Sequence, residues 1–286
     1  MRWAVSIALV MVIAVMVRLT DATAVASAAV QEDPAGEARR KTFDEFLDLY
    51  VRDGYVYYRA LKSERSRFDA YVNSLAEVQV GALSRDEQLA FWLNAYNSLV
   101  LRTVIDHYPI QGHSPEYPSK SIRQIPGAFE RLTHRVAGRT LTLDQIEQTV
   151  LPTFHDPRAY LALGRGSVGG GRLRSEAFSP ARLEAQLTEV ANECAGRAEC
   201  IQIDRQNNRV LVSSIFSWRS QEFIAAYASA APELFATRSP IERAILAFIQ
   251  PHLLTIEREF LEKNQFKVVF KPFDWSINDL TGRGGR

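Results

Sequence analysis

Cysteine is almost absent from this chain of 286 residues, which contains only Cys194 and Cys200 and has no CxxC motif. The five histidines are scattered without the short spacing of a metal site, so we predict neither a metal ion nor a cofactor. An excess of charge is lacking too, because 34 basic and 33 acidic residues leave a formal net charge of +1. This balance gives no reason to expect a nucleic-acid or membrane-surface partner.

The N-terminus carries an apolar run of 15 residues, Trp3 to Val17, which follows Arg2. A more polar segment then ends in Ala-Ser-Ala at 26–28, so residues 1–28 have the organisation of a secretory signal peptide. The alternative is an uncleaved anchor, which would need about 20 apolar residues. We therefore predict an exported protein, periplasmic or secreted, that begins at Ala29 and is free of the membrane after signal removal.

The stretch from Ser84 to Pro109 predicts a long central helix. Ser84 and Glu87 have the spacing of a capping box at its start, and Pro109 places its end near His107. The residues between these ends are apolar around nearly the whole circumference, which is typical of a buried helix. We therefore expect the rest of the domain to pack around this helix.

The remaining chain alternates short strands and helices without a regular βαβ order, which favours an α+β fold. We predict a mainly helical domain with a small mixed or antiparallel sheet around the central helix. Its boundaries are 42–280, with a disordered segment at 29–41 and a disordered tail at 281–286. Strands are predicted at 55–58, at 135–143 with a turn at Gly138, at 158–163, at 200–213 with a turn at Asn207-Asn208, and at 266–270.

Two amides interrupt the apolar surface of the central helix. Asn94 and Asn97 are three residues apart and so share a face of the helix. A buried amide without a partner costs a few kcal/mol, so each must bond a fixed group. One interpretation is that they hold neighbouring backbone, and the other is that they line a ligand pocket.

The segment GRGSVGGGRLR, Gly164 to Arg174, contains G-x-G-x-x-G after a predicted strand. A dinucleotide site needs a helix directly after this motif, and the next helix start is at Ser179. No Lys-Ser/Thr pair ends the segment as in a phosphate-binding Walker loop. Arg165 occupies the first glycine position of G-x-S-x-G, so a nucleophile elbow at Ser167 is unsupported.

Several blocks of the sequence, in order along the chain, resemble the family called domain of unknown function 547. They are YVRDGYVYYRAL (50–61), AFWLNAYNSLVL (90–101), LTLDQIEQTVL (141–151), DPRAYLAL (156–163), LVSSIFSWRSQEF (211–223) and FDWSIND (273–279). The resemblance covers about residues 43–279. It implies a domain, and the family's name attaches no activity to it.

The resemblance also implies a Cys/His set that this chain has replaced. The family pattern has a His at the position that Tyr160 occupies here and an Asn at that of Gly164. It has a Cys at the positions of Arg165 and Gly170, whereas the Ser of the pattern is kept as Ser167. A Cys and a His together suit nucleophilic catalysis or metal binding. A guanidinium group has no lone pair to attack or ligate with, so this chain cannot perform that chemistry with the same atoms.

The glycines and arginines of this segment suggest another role. Backbone amides together with Arg165, Arg172 and Arg174 suit a carboxylate or phosphate, and Ser167, Asn94 and Asn97 would complete such a ligand site. The alternative is a solvated, mobile loop with ordinary surface arginines. We therefore predict a small anionic ligand or a protein partner.

Two functions from different classes remain. The first is a non-catalytic binding or interaction module. The second is a hydrolase or acyl transferase that uses Ser167, with Glu147 or His155 as its base. Glu147 could instead be a buried anchor. The enzyme requires a base within about 3 Å of Ser167, whereas the binding module does not.

The two cysteines are six residues apart, at the end of the helix that starts at Ser179 and at the start of the next strand. Gly196 lies between them and ends the helix with a sharp turn, so their Cα atoms can approach to disulfide distance. Export would place them in an oxidising compartment. We predict a Cys194–Cys200 disulfide, with two unrelated thiols as the alternative.

Overall fold

The computed structural model describes residues 34–281, and the predicted signal peptide (1–28) lies outside this range. The helices are α1 (Pro34–Tyr50), α2 (Tyr58–Ser63), α3 (Arg65–Ser74), α4 (Arg85–His107), α5 (Leu143–Gln145), α6 (Arg158–Leu161), α7 (Leu183–Gly196), α8 (Ser214–Trp218), α9 (Ser220–Tyr227), α10 (Pro240–Ile249) and α11 (Thr255–Lys263). The strands are β1 (Val51–Arg52), β2 (Tyr55–Val56), β3 (Thr133–Val136), β4 (Arg139–Thr142), β5 (Ile201–Asp204), β6 (Arg209–Ser213) and β7 (Lys267–Lys271). Helix α5 continues through a π-helical turn, Ile146–Val150, and a 3-10 turn, Leu151–Phe154.

Helix α4 is the buried centre of the fold. Its start is a capping box, in which the Glu87 amide donates to Ser84 Oγ and the Glu87 carboxylate accepts from the Ser84 amide at 2.8 Å. Nearly every side chain from Leu89 to Ile105 is buried. The helix ends at His107, before Pro109. The predicted central helix is therefore confirmed at both ends and in its burial.

Helices α1, α2 and α3 pack on one side of α4. The ring of Phe43 stacks on that of Tyr71 with centroids 5.0 Å apart, and Phe46 meets Phe68 edge-on at 5.1 Å. All four rings are buried. Aromatic packing of this kind gives α1 a structural role in the core.

Helix α1 corrects the prediction of a disordered segment at 29–41. The helix already begins at Pro34, and proline is favourable in the first turn of a helix because its missing N–H needs no partner there. Glu37 lies in the same turn, where the helix dipole favours an acidic side chain, and pairs with Lys41 at 2.6 Å. Residues 29–33 lie outside the described range.

The β-structure of residues 34–281 consists of two hairpins and one mixed sheet of three strands. β1 pairs with β2 and β3 with β4, both antiparallel. In the mixed sheet, β6 lies between antiparallel β5 and parallel β7. Turns at Gly138 and at Asn207-Asn208 were both predicted. The mainly helical α+β fold with a small sheet is confirmed.

The predicted strand at 158–163 is wrong, because this segment forms helix α6. The Asp156 carboxylate accepts a hydrogen bond from the Arg158 amide at 3.0 Å and so satisfies a donor at the start of the helix. Ala159, Leu161 and Ala162 are good helix formers. None of the helices within residues 34–281 has the length and apolar character needed to cross a membrane.

Cys194 and Cys200 form a disulfide, with their Cα atoms 5.1 Å apart. The bond joins the last turn of α7 to the segment that leads into β5. The predicted pairing is therefore confirmed.

Candidate functional site

The chain after α6 is held against α4 by side-chain amides. Asn97 accepts a hydrogen bond from the Gly164 amide at 2.9 Å and donates to the Ala162 carbonyl at 3.1 Å. One turn earlier on α4, Asn94 pairs in the same way with both backbone groups of Phe178, each at 2.8 Å. Both amides thus bond fixed backbone, as in the first of the two interpretations, and Asn94 also lines the cavity described below, as in the second.

Residues 164–171 are here called the glycine loop, and the amides of Val168 and Gly169 donate to the carbonyls of Ser276 and Asp274. The Gly170 amide donates to the Ser167 carbonyl at 3.3 Å and the Gly171 amide to the Leu163 carbonyl at 2.9 Å. A Cβ on Gly170 would overlap the carbonyl oxygen of the loop's first residue. These glycines permit close backbone packing, and the amides of Gly169, Gly170 and Gly171 already donate to carbonyls, so these three are not available to an anion.

Arg165 lies at the centre of a buried charge cluster and is only 2% exposed. Its Nη2 donates to Oε1 of Glu147 at 2.7 Å, and its Nε donates to Oε2 at 3.3 Å. Arg219 Nη2 donates to the same Oε1 at 3.0 Å, and the Tyr96 hydroxyl donates to Oε2 at 3.2 Å. We call these four residues the Glu147 cluster, because its carboxylate accepts from the other three.

The electrostatics of the cluster keep Glu147 ionised. Burial alone would raise the pKa of Glu147, but the charges and hydrogen bonds of Arg165 and Arg219 outweigh burial and hold that pKa below its ordinary value. Burial and the nearby Glu147 carboxylate raise the pKa of the Tyr96 hydroxyl well above its ordinary range. The Glu147 carboxylate is therefore held in place, and both of its oxygens already accept hydrogen bonds from Arg165, Arg219 and Tyr96.

Tyr160 extends the cluster towards Glu222. The Arg219 guanidinium lies 4.4 Å from the centre of the Tyr160 ring, and the Tyr160 hydroxyl donates to Glu222 Oε1 at 3.3 Å. The Tyr160 carbonyl accepts from Arg165 Nη1 at 3.0 Å. Tyr160 and Arg165 are the positions at which the resemblance implies a His and the first Cys, and the structure places both residues in one buried network.

Ser167 does not meet either of its predicted bases. Its side chain is buried, and within residues 34–281 its Oγ has no hydrogen-bond partner. Glu147 is committed to two arginines and a tyrosine, and His155 is exposed at the end of the 3-10 turn after α5. The arrangement lacks the nucleophile–base contact that the hydrolase alternative requires.

Arg172 and Arg174 are both paired with acidic side chains. Arg172 pairs with Asp53 and Glu193, and Arg174 pairs with Glu176, Glu189 and Glu193. Even with Arg182, which also pairs with Glu176, three guanidinium groups face four carboxylates. The geometry therefore argues against the predicted anion site, since Arg165 is buried and the other two arginines lie in a region of surplus negative charge.

A cavity of about 560 Å³ lies between α1, α3, α4 and the segment around Phe178. Most of its wall is apolar: Tyr71, Leu75, Val78, Leu83, Ala90, Phe91, Phe178 and Pro180. Arg39, Arg40, Glu77 and Glu87 add charged groups. We call it the α1–α4 cavity. This cavity could not be predicted from the sequence, because one of its walls belongs to a segment predicted to be disordered.

The described residues thus form an α+β domain in which a buried charge cluster lies beside the glycine loop and a separate apolar cavity lies along α4. No group of three or more His, Cys, Asp or Glu side chains in residues 34–281 could hold a metal ion. Residues 80–193 match the model of the family described as "Protein of unknown function, DUF547", which confirms the resemblance over that part of the chain. No curated protein and no solved structure gave a match.

Proposed function

We propose that this protein is an exported, non-catalytic binding protein whose ligand occupies the α1–α4 cavity. The observation that carries the proposal is the cavity itself. Its volume of about 560 Å³ lies within the range of roughly 300–1,000 Å³ that small-molecule sites have. A mostly apolar wall with a few charged groups is also typical of such sites.

The Glu147 cluster supports a role without catalysis. At the position where the family pattern has a cysteine, Arg165 is locked into a bidentate ion pair with Glu147. A guanidinium group can act neither as a nucleophile nor as a metal ligand. Ser167, the remaining candidate nucleophile, has no base among residues 34–281 in contact with its hydroxyl group.

Export is supported by two features of different kinds. The first 28 residues have the charged start, apolar run and small-residue end of a signal peptide. The Cys194–Cys200 disulfide is the kind of bond that forms and persists in an oxidising compartment.

The test is binding of a neutral apolar dye, N-phenyl-1-naphthylamine, to the protein purified from the exported fraction. We expect saturable fluorescence enhancement with the parent protein. Ala82 lines the cavity and is exposed at its edge, so Ala82→Trp should obstruct the cavity without disturbing the core. This variant should lose dye binding and keep the melting temperature of the parent.

The matched control is Ala226→Trp on the exposed surface of α9, which should bind dye as the parent does. Dye binding that survives Ala82→Trp would place the site elsewhere, and a parent protein that binds no dye would contradict the proposal. Hydrolysis of ester or peptide substrates that is lost in Ser167→Ala would contradict the non-catalytic role.

A further inference from the structure

The charged groups of the α1–α4 cavity are not equivalent. Glu77 pairs with Arg135 at 3.4 Å, and Glu87 is used in the capping box of α4. Arg39 is different: it has neither a hydrogen bond nor an ion pair with any residue of the range 34–281, although it is half-buried and lines the cavity. A half-buried guanidinium group without a carboxylate is a site that an anionic group can stabilise.

The charge of Arg39 lies near Tyr71, a residue of the apolar wall of the cavity. Burial raises the pKa of the Tyr71 hydroxyl, and the positive charge of Arg39 acts on this hydroxyl in the opposite direction. Tyr71 is itself part of the cavity wall. A ligand whose apolar body contacts Tyr71 can therefore bring a charged end to Arg39.

We propose that the ligand of the cavity is an amphipathic carboxylic acid, with an apolar chain against α4 and its carboxylate on Arg39. This inference rests on the proposed function. A carboxylate matches the site better than a phosphate does, because the charges of Arg39 and Arg40 are balanced by those of Glu77 and Glu87 in the same wall, so a single negative charge is opposed less than two. The planar guanidinium group offers two parallel donors to the two carboxylate oxygens.

The experiment compares decanoate, decanol and decyl phosphate by isothermal titration calorimetry on the protein from the exported fraction. Decanol has the same chain without the charge, and decyl phosphate carries a larger charge. We expect decanoate to bind the parent most tightly. Arg39→Gln should weaken decanoate binding by about 10- to 100-fold, as expected for the loss of hydrogen bonds to a charged group, and should leave decanol binding within about twofold of the parent.

Two further variants make the result specific. Arg39→Lys keeps the charge and should recover part of the affinity for decanoate. Arg205→Gln removes an exposed arginine from the turn between β5 and β6 and should change nothing. Thermal melts of all variants show whether the fold is intact.

The outcomes separate the two proposals. Equal binding of decanoate and decanol, both lost in Ala82→Trp, would leave the cavity as a binding site and overturn the carboxylate inference. Tighter binding of decyl phosphate than of decanoate would overturn the choice of a carboxylate. Decanoate binding that is unchanged in Arg39→Gln would overturn the role of Arg39, and no binding of dye or of any chain would overturn the proposed function as well.

Discussion

Replacing Glu147 with glutamine should destabilise the fold severely. The substitution keeps the shape of the side chain but removes the only negative charge of the Glu147 cluster, which leaves the buried Arg165 and Arg219 without it. Breaking a buried ion pair on one side typically costs about 3–5 kcal/mol of unfolding free energy. Arg165 loses its carboxylate partner, and Arg219 keeps only the longer pair with Glu222 at 3.4 Å, so we expect a loss in the upper half of that range.

Urea denaturation followed by circular dichroism measures this loss, and the melting temperature should fall with it. In a domain of 150–250 residues, 1 kcal/mol corresponds to about 2–4 °C, so the expected shift is roughly 8–20 °C. The pH dependence gives a second readout. Since the pKa of folded Glu147 is lowered from 4.5, its contribution is present above that pH and is lost as the pH falls through the folded pKa. The difference in unfolding free energy between the parent and Glu147→Gln should therefore become smaller as the pH falls below 4.5.

The matched control is Glu45→Gln, which breaks the exposed pair of Glu45 with Arg67. Exposed pairs contribute about 0–1 kcal/mol, so this variant should melt close to the parent. If Glu147→Gln melts like Glu45→Gln at neutral pH, the cluster does not stabilise the fold and the reasoning from its burial fails. A difference that stays constant down to pH 3 would show that the carboxylate is not what the variant has lost.

Three further predictions concern the amides of α4, the N-terminus and the disulfide. Asn97→Ala and Asn94→Ala should each lower the unfolding free energy by about 1–3 kcal/mol because buried backbone groups lose their partners; unchanged thermal melts would contradict this. N-terminal sequencing of the exported protein should find Ala29 first, and a product that retains the initiator methionine would refute cleavage and export. Alkylation without reduction should leave the intact mass unchanged, whereas two alkylated thiols would refute the bond. The Cys194→Ala/Cys200→Ala double variant should lose about 2 kcal/mol, since the closed loop is short.

Local signals explain what could be predicted from the sequence. The capping box of Ser84 and Glu87, the hairpin turn at Gly138 and the cysteine pair all depend on residues within a few positions of each other. The apolar circumference of α4 is likewise visible in a single stretch, so the central helix followed from it. The α+β class followed from the irregular order of short strands and helices.

Long-range charge pairing explains what could not be predicted. From the sequence, Arg165 is expected to be an exposed arginine of a loop. In the structure it is buried against Glu147, which also binds Arg219, and both residues come from other parts of the chain. Arg172 likewise meets carboxylates from α7 and from the first hairpin. The segment 158–163 is short and apolar, and periodicity alone does not distinguish a buried strand from a buried helix at that length.

The tight packing of the glycine loop also disfavours cysteine at Arg165 and Gly170, the two positions at which the family resemblance implies it. A cysteine introduced at Gly170 would drive its Cβ into the carbonyl oxygen of Gly164, so the loop would have to change its path first. A cysteine introduced at Arg165 would leave the Glu147 carboxylate with one arginine and a void in place of a long side chain. Each of the two substitutions alone should therefore destabilise the loop.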